Sequence, residues 1–496
     1  MELLNAIIGV FDPMVFLFLL LGVVVGYVVG ILPGLSATMA VAILTPLTFW
    51  LAPQQGFAML IGVFNSALFA GGISALLINT PGTPASIATT FDGYALTQKG
   101  YPGLGLGINT IFSCIGGWLG TAVLIIAAFP LARFALKFGP PEYFTLAMFG
   151  LAMMISVSGK NIVKGLLTGF LGLLLATVGL DPMYSTQRFT FGNLGLMEGI
   201  SFIPVMIGLF GMGEVWAQMF DGVHNQKVEK LSSMGRILPT WEELKRCAPG
   251  SLIATAISVI VGIIPGTGGD IAGIISWDQA RKVSKKPEEF GRGSVEGVAV
   301  TCLANNAAMG GALITMLTLG VPGESITAIL IGSLMMYGMD PGPRLFTEHS
   351  QFVMTFMALM IIAYVLILVV GLVSAKYSTI VMNVRKEIIW MTVIVLCTVG
   401  AYSMNSSYVD VIIMVLSGFA GFFFRKMNYP LGPIILGLLL GRMAEANFRR
   451  SITMYDNPLQ SYYTSPIAMV LLLFILLAVI VPLVKKTKQK ETAQEV

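Results

Sequence analysis

The chain has 496 residues, of which 56% are hydrophobic and only 11% charged, with a formal net charge of +4 and a mean hydropathy of +0.84. A soluble domain carries roughly 25% charged residues, so a water-soluble enzyme of this size is excluded. Stretches such as 14–32 and 104–132 hold no Asp, Glu, Lys or Arg, and a membrane span needs about 20 such residues. A β-barrel is excluded too, because its strands alternate apolar and polar residues. The expected fold is an all-α polytopic membrane protein.

Taken from the N-terminus, the first Lys or Arg is Lys99. The positive n-region that begins a cleavable signal peptide is missing, and the first apolar stretch is expected to stay in the mature protein. Apolar windows lie near 14–32, 35–51, 57–78, 104–130, 143–158, 165–180, 199–215, 251–275, 297–320, 325–337, 352–374, 388–402, 409–424, 431–441 and 466–484. Several are too short to cross alone, which leaves about ten to twelve transmembrane helices. The polar connection 220–249 carries Lys227, Lys230, Arg236, Lys245 and Arg246 and divides the chain. Residues 1–220 form a first membrane repeat, 221–250 a cytoplasmic connection, 251–484 a second repeat and 485–496 a tail. The basic run KKTKQK after the last apolar window places the C-terminus in the cytoplasm.

The halves share a pattern. In the first, GILPGLSATMAVAIL (Gly30 to Leu44) precedes GGISALLINTPGTPAS (Gly71 to Ser86); in the second, GIIPGTGGDIAGIIS (Gly262 to Ser276) precedes GGALITMLTLGVPGES (Gly310 to Ser325). Such recurrence is the sequence signature of transporter repeats. The connection between the two motifs is short and uncharged in the first half (Ala52 to Gly56) but strongly basic in the second, DQARKVSKKPEEFGRG. The positive-inside rule puts only the second in the cytoplasm, and the repeats are expected to be inverted.

Within the second half, Ser251 to Ser276 has basic residues on both flanks: Lys245 and Arg246 before it, Arg281, Lys282, Lys285 and Lys286 after it. A re-entrant hairpin with its tip at Pro265 to Asp270 keeps both flanks on one side. Proline removes the donor that continues a helix and glycine tolerates an irregular turn. Unwound backbone survives at membrane depth only inside protein or beside a polar cavity, and a helix starting after the break aims its N–H groups and positive dipole end there. The breaks therefore mark a candidate anion pocket. Its substrate-binding candidates are Pro33, Gly34 and Ser36 with the nearby Thr38; Asn79, Thr80, Pro81, Gly82, Thr83 and Ser86; Gly266, Thr267 and Gly268; Asn305 and Asn306; and Pro322, Gly323 and Ser325. Kinked helices with close glycine packing and self-bonded hydroxyls are the structural alternative.

Asp270 is a carboxylate in an apolar segment, and such a residue is by default a functional candidate; it is either an ion-coupling group or a solvated turn. Asn305 and Thr327 are further ion-coupling candidates, and carbonyls at broken helix ends offer a place for sodium. Asp92 and Glu324 pose the same question, with more weight on a position near the membrane interface. The four cysteines, Cys114, Cys247, Cys302 and Cys397, lie far apart and read as small hydrophobes. With only His224 and His349, a histidine metal site or catalytic triad lacks raw material. No catalytic residue, cofactor or nucleic-acid partner is expected, and a sodium ion or proton is the one coupling ion foreseen.

The segments PGLSATMAVAILTPLTF, NTPGTPASIATTFDGY, SKKPEEFGRGSVEGVA with ANNAAMGGALI, and LTLGVPG with GMDPGPRLF together resemble the large membrane subunit of the tripartite tricarboxylate transporters, the TctA family, from about residue 20 to beyond 440. The resemblance implies a subunit of about twelve helices, working with a small four-helix membrane subunit and a periplasmic solute-binding protein. It implies uptake of carboxylates across the bacterial inner membrane, driven by a sodium or proton gradient. The chain departs from that pattern at Ala70-Gly71-Gly72, Thr301-Cys302, Thr315 and Glu324. Glu324 would repel a carboxylate if it faced the pocket and is expected to point at a cation or at solvent. The leading function is a secondary transporter with alternating access around a midplane site. An ion channel, or a permease for another solute, is the alternative, and the histidine count argues against an intramembrane enzyme.

Overall fold

The structure, a computed structural model, describes residues 2–32, 35–157, 162–181, 184–220, 234–265, 268–382, 386–454 and 460–477. Nearly all of them are helical. The strands among the described residues are one two-stranded antiparallel ribbon, Gly179–Leu180 against Gln187–Arg188. Nine helices among the described residues are long and apolar enough to cross a membrane, and four shorter apolar ones accompany them. The chain is an all-α polytopic membrane protein.

Twelve helices position the site: α1 (Pro13–Ile31), α2 (Ala37–Thr48), α3 (Pro53–Ile78), α4 (Thr90–Gln98), α5 (Pro102–Ala135), α6 (Ile162–Ala176), α7 (Trp241–Ile263), α8 (Gly268–Val283), α9 (Val295–Leu319), α10 (Ser325–Met336), α11 (Ser350–Ser374) and α12 (Gly432–Thr453). Their ends follow local chemistry. The Asp12 side chain accepts from the backbone N–H groups of Met14 and Val15 ahead of α1, with Pro13 in the first turn. Thr240 and Glu243 form a reciprocal capping box at α7, satisfying two orphan donors at once. Asn79 and Gly320 end α3 and α9 in left-handed conformations, at φ +55° and +68°. A turned-back chain end of this kind is what these residue types tolerate.

The order of elements recurs. Helices α1, α2 and α3 with a break and α4 are matched by α7, α8 and α9 with a break and α10. Packing repeats in the same register. A β-carbon on Gly22 would lie 2.3 Å from the Met59 carbonyl oxygen, and one on Gly62 would lie 2.6 Å from that of Leu19; the equivalents are Gly262 against Ala308 at 2.1 Å and Gly311 against Val259 at 2.3 Å. Each glycine thus seats a carbonyl of its partner helix, and α1 with α3, like α7 with α9, form close parallel pairs.

The direction of the two halves follows from α5. It runs antiparallel to α3, since Gly72 faces Asn109 and Leu76 faces Gly105, and parallel to α9, since Gly116 faces Leu303 and Gly120 faces Ala307. Helices α3 and α9 therefore run in opposite directions, and they cross where the Asn305 side-chain amide donates to the Leu68 carbonyl at 3.4 Å. Both are buried along nearly their whole length and form the centre of the molecule.

Helices α7 and α8 make the hairpin expected around the third Pro-Gly. Ser258 and Ser276 hydroxyls meet across its arms at 3.3 Å, and Gly250 lies against Ala280 nearer the open end. Both basic flanks consequently sit together: Lys245, Arg246 and Lys285 line one small cavity at the open end. Arg246 is ion-paired there with Glu289 and Glu296. The KKTKQK tail and residues 221–233 of the connection lie outside the described residues.

Candidate functional site

A cavity of 230 Å³ lies where the breaks meet. Ala37 and Thr38 reach it from the start of α2, Thr83, Pro84 and Ala85 from the turn after the second break, and Gly268 and Asp270 from the start of α8. Glu324, Ser325, Ile326 and Ala328 enter from the fourth break and α10, and Leu68 of α3 forms part of the wall. All four interruptions picked out by the repeated motif thus contribute to one place. A further segment does so as well, through Pro430, Gly432, Pro433, Ile435 and Leu436 at the start of α12.

The first N–H groups of a helix have no intrahelical acceptor, and the aligned peptide dipoles add a partial positive charge there. Four helices, α2, α8, α10 and α12, begin at this cavity. Its lining holds two carboxyl groups, Asp270 and Glu324, and no Lys, Arg or His among the described residues. Asp270 sits in the first turn of α8 and is exposed into the cavity. Glu324 caps α10: its backbone N–H donates to the Thr327 hydroxyl at 3.0 Å, and that hydroxyl donates back to the Glu324 carbonyl at 2.8 Å. Among the described residues its Oε1 has no hydrogen-bond partner. A β-carbon on Gly268 would stand 3.5 Å from Glu324 Oε2, so the third and fourth breaks touch. Glu324 therefore lines the cavity, a second acid beside Asp270.

Other candidates frame the cavity, and of these only Thr83 also lines it. Ser36 caps α2, accepting from Met39 N–H at 3.1 Å. The Thr83 and Ser86 hydroxyls bond each other at 2.9 Å. Thr80 turns its hydroxyl onto the Ile78 carbonyl, and Pro81 leads into Gly82, whose N–H donates to Gly71 O at 3.2 Å. A β-carbon on Gly82 would meet the Gly30 carbonyl at 2.3 Å, and one on Gly323, after Pro322, would meet that of Gly262 at 3.0 Å. The second break of each half is thus wedged against the end of that half's first helix.

The two asparagines part company. Asn306 is buried, donating to the Cys302 carbonyl and accepting from the Tyr364 hydroxyl, away from the lining. Asn305 is 3% exposed, and its Oδ1 has no partner among the described residues. That oxygen would stand 2.7 Å from a β-carbon on Gly269, the residue between the cavity-lining Gly268 and Asp270. Asn79 is exposed at the end of α3, and Asp92 lies elsewhere, in α4. Pro33, Gly34, Gly266 and Thr267 lie outside the described residues.

The start of α12 was missed from sequence, although its signal is present. Tyr429-Pro430-Leu431-Gly432-Pro433 is a fifth Pro/Gly interruption ahead of an apolar run. Gly432 reaches the site because its β-position lies 3.7 Å from the Ser325 hydroxyl.

Comparison with known proteins gives a family. Residues 16–436 match the tripartite tricarboxylate transporter TctA family. The chain is 34% identical over 472 residues to a protein of Agrobacterium vitis described as an uncharacterized 52.8 kDa protein in the TAR-I ttuC' 3' region, covering 95% of this chain and 93% of that one. A second Agrobacterium vitis protein, described as an uncharacterized protein in the TAR-II ttuC' 3' region, is 29% identical over 231 residues, covering 47% of this chain and 96% of that one. No solved structure matches the chain.

Proposed function

The chain belongs to the TctA family of tripartite tricarboxylate transporters, and from that membership and the cavity we propose that it is the large membrane subunit of a secondary transporter importing a small organic di- or tricarboxylate. The observation that carries the reading is the meeting of four helix N-termini on one cavity. Uncompensated N–H groups and dipole ends bind carboxylates without a buried Arg or Lys, and this lining contains neither.

Coupling fits the same place. Asp270, Glu324 and the unpartnered Asn305 oxygen supply acceptors beside the anion's donors, and a sodium ion or protons moving with the solute would offset the repulsion between acids and substrate. Thr327 holds Glu324 in position. The opposite directions of α3 and α9 support two inverted repeats, whose exchange of position gives alternating access around a fixed site. The end carrying Arg246, Lys282 and Lys285 faces the cytoplasm by the positive-inside rule, with the C-terminus on that side. A periplasmic solute-binding protein delivers the substrate, and a small four-helix subunit completes the assembly in the bacterial inner membrane.

Counterflow in proteoliposomes tests the proposal. Vesicles loaded with an unlabelled carboxylate should accumulate the labelled compound transiently, unchanged chemically. Downhill leak of ions without counterflow would establish a channel instead.

A further inference from the structure

Two contacts outside the cavity tie the halves of the molecule together at opposite ends. At the end that carries Arg246, Asp92 of α4 is 1% exposed and accepts four hydrogen bonds from the second half. Its Oδ1 receives the backbone N–H groups of Gly291, Gly293 and Ser294 at 2.8, 2.9 and 2.8 Å, and its Oδ2 receives the Trp277 indole N–H of α8 at 2.7 Å. The loop presses close, since a β-carbon on Gly297 would lie 2.0 Å from Oδ2. At the other end, Tyr337, which caps α10, donates its hydroxyl to the Thr48 carbonyl at the end of α2. Its ring sits beside Phe49 and Phe57, 5.7 and 5.8 Å between centroids.

These contacts correspond. In each, the segment following the second break of one half grips the far part of the short helix of the other half, and both short helices, α2 and α8, start at the cavity. The two lie on opposite faces because Thr48 adjoins the start of α3, Ser294 adjoins the start of α9, and those helices run in opposite directions. Each contact has hydrogen bonds at its centre with a few aromatic rings beside them. Hydrogen bonds to a carboxylate or carbonyl exchange for water at small net cost, whereas apolar interdigitation does not, so these are places where the halves can part and rejoin.

We propose that Asp92 and Tyr337 are positioning residues of the transport cycle: the Asp92 clamp closes the cavity from the basic end, the Tyr337 clasp closes it from the opposite end, and each releases in turn. The assignment rests on the alternating-access reading above, but its test needs no transported solute. With Ser325→Cys as reporter in the full chain, whose four native cysteines are buried, labelling by a membrane-impermeant maleimide is followed in inside-out and right-side-out vesicles. Asp92→Asn should speed labelling from the basic-end side about tenfold, the population shift given by losing one charge-assisted contact, and leave the other side unchanged. Tyr337→Phe should do the reverse. Trp277→Phe, which removes one donor and keeps the carboxylate, should act in the same direction as Asp92→Asn and more weakly, provided the protein still elutes as a single peak in detergent. Equal acceleration on both sides, or none in any of the three, would overturn the proposal. Side-specific labelling together with absent counterflow would leave the clamps standing and sink the carboxylate reading.

Discussion

Glu324, like Asn305, has a buried side-chain oxygen with no hydrogen-bond partner among the described residues, although its backbone is fully committed to capping α10. Glu324→Gln keeps the cap and removes the charge. Uptake driven by a cation gradient should fall about tenfold, the loss of one modest charge interaction, while solute counterflow persists; vesicles with and without an imposed sodium or proton gradient make the comparison. The two asparagines should separate cleanly. Asn306→Ala strips partners from Tyr364 and Cys302 and should cost about 1–2 kcal/mol of stability, read as a lower unfolding temperature in detergent. Asn305→Ala removes an oxygen with no partner among the described residues and one long bond, at 3.4 Å, to the Leu68 carbonyl, so it should reduce uptake with a smaller stability loss. Thr83, Ser325 and Asp270 were legible from sequence because each adjoins a Pro-Gly interruption in an otherwise apolar run. Leu68 and Ile435 were not, because an apolar side chain carries no local sign of whether it faces a cavity, a neighbouring helix or lipid.

Among the elements, the breaks and the α7–α8 hairpin were readable from proline, glycine and flanking charge. The carbonyl-in-glycine seating of α1 on α3 and of α7 on α9 was not, since any membrane bundle is rich in glycine and only the register shows which ones meet a backbone. Gly62→Val and Gly311→Val should each destabilise by about 1–3 kcal/mol through overpacking, whereas Gly9→Val, at a position with open space around it, should leave the unfolding temperature unchanged. The base of the hairpin adds a pH dependence. Burial alone would raise the pKa of Glu289, but its bonds to Arg246 and Lys286 outweigh that and hold it below the usual glutamate range. A depressed carboxylate stabilises the fold above its unfolded value, and that stabilisation is lost as pH falls through the folded one. Proteolysis of the 284–294 loop should therefore accelerate in acid below the ordinary glutamate pKa, and Glu289→Gln should flatten the profile at the acid-side rate.

For the whole molecule, composition settled the membrane class and the basic flanks settled which ends of α7 and α8 lie together. The partners of Asp92 and Tyr337 were out of reach, because Trp277 is 185 residues from Asp92 in sequence and nothing local announces the pairing. The glycine seating recurs elsewhere: a β-carbon on Gly172 of α6 would lie 2.1 Å from the Ile434 carbonyl of α12, and one on Gly437 would lie 2.5 Å from that of Gly169. The parallel pair of α5 and α9 is pinned in the same manner, through Gly116 on the Leu303 carbonyl and Gly310 on that of Gly120, and α12 carries one of the four helix starts at the cavity. Helices pinned backbone to backbone cannot slide along each other without lifting whole rows of carbonyls out of their seats. Mechanically each such pair is a stiff double rod. Motion that exposes the cavity should then turn such a pair as one body, so the donors at the start of α12 travel with α6 while the walls opposite them change.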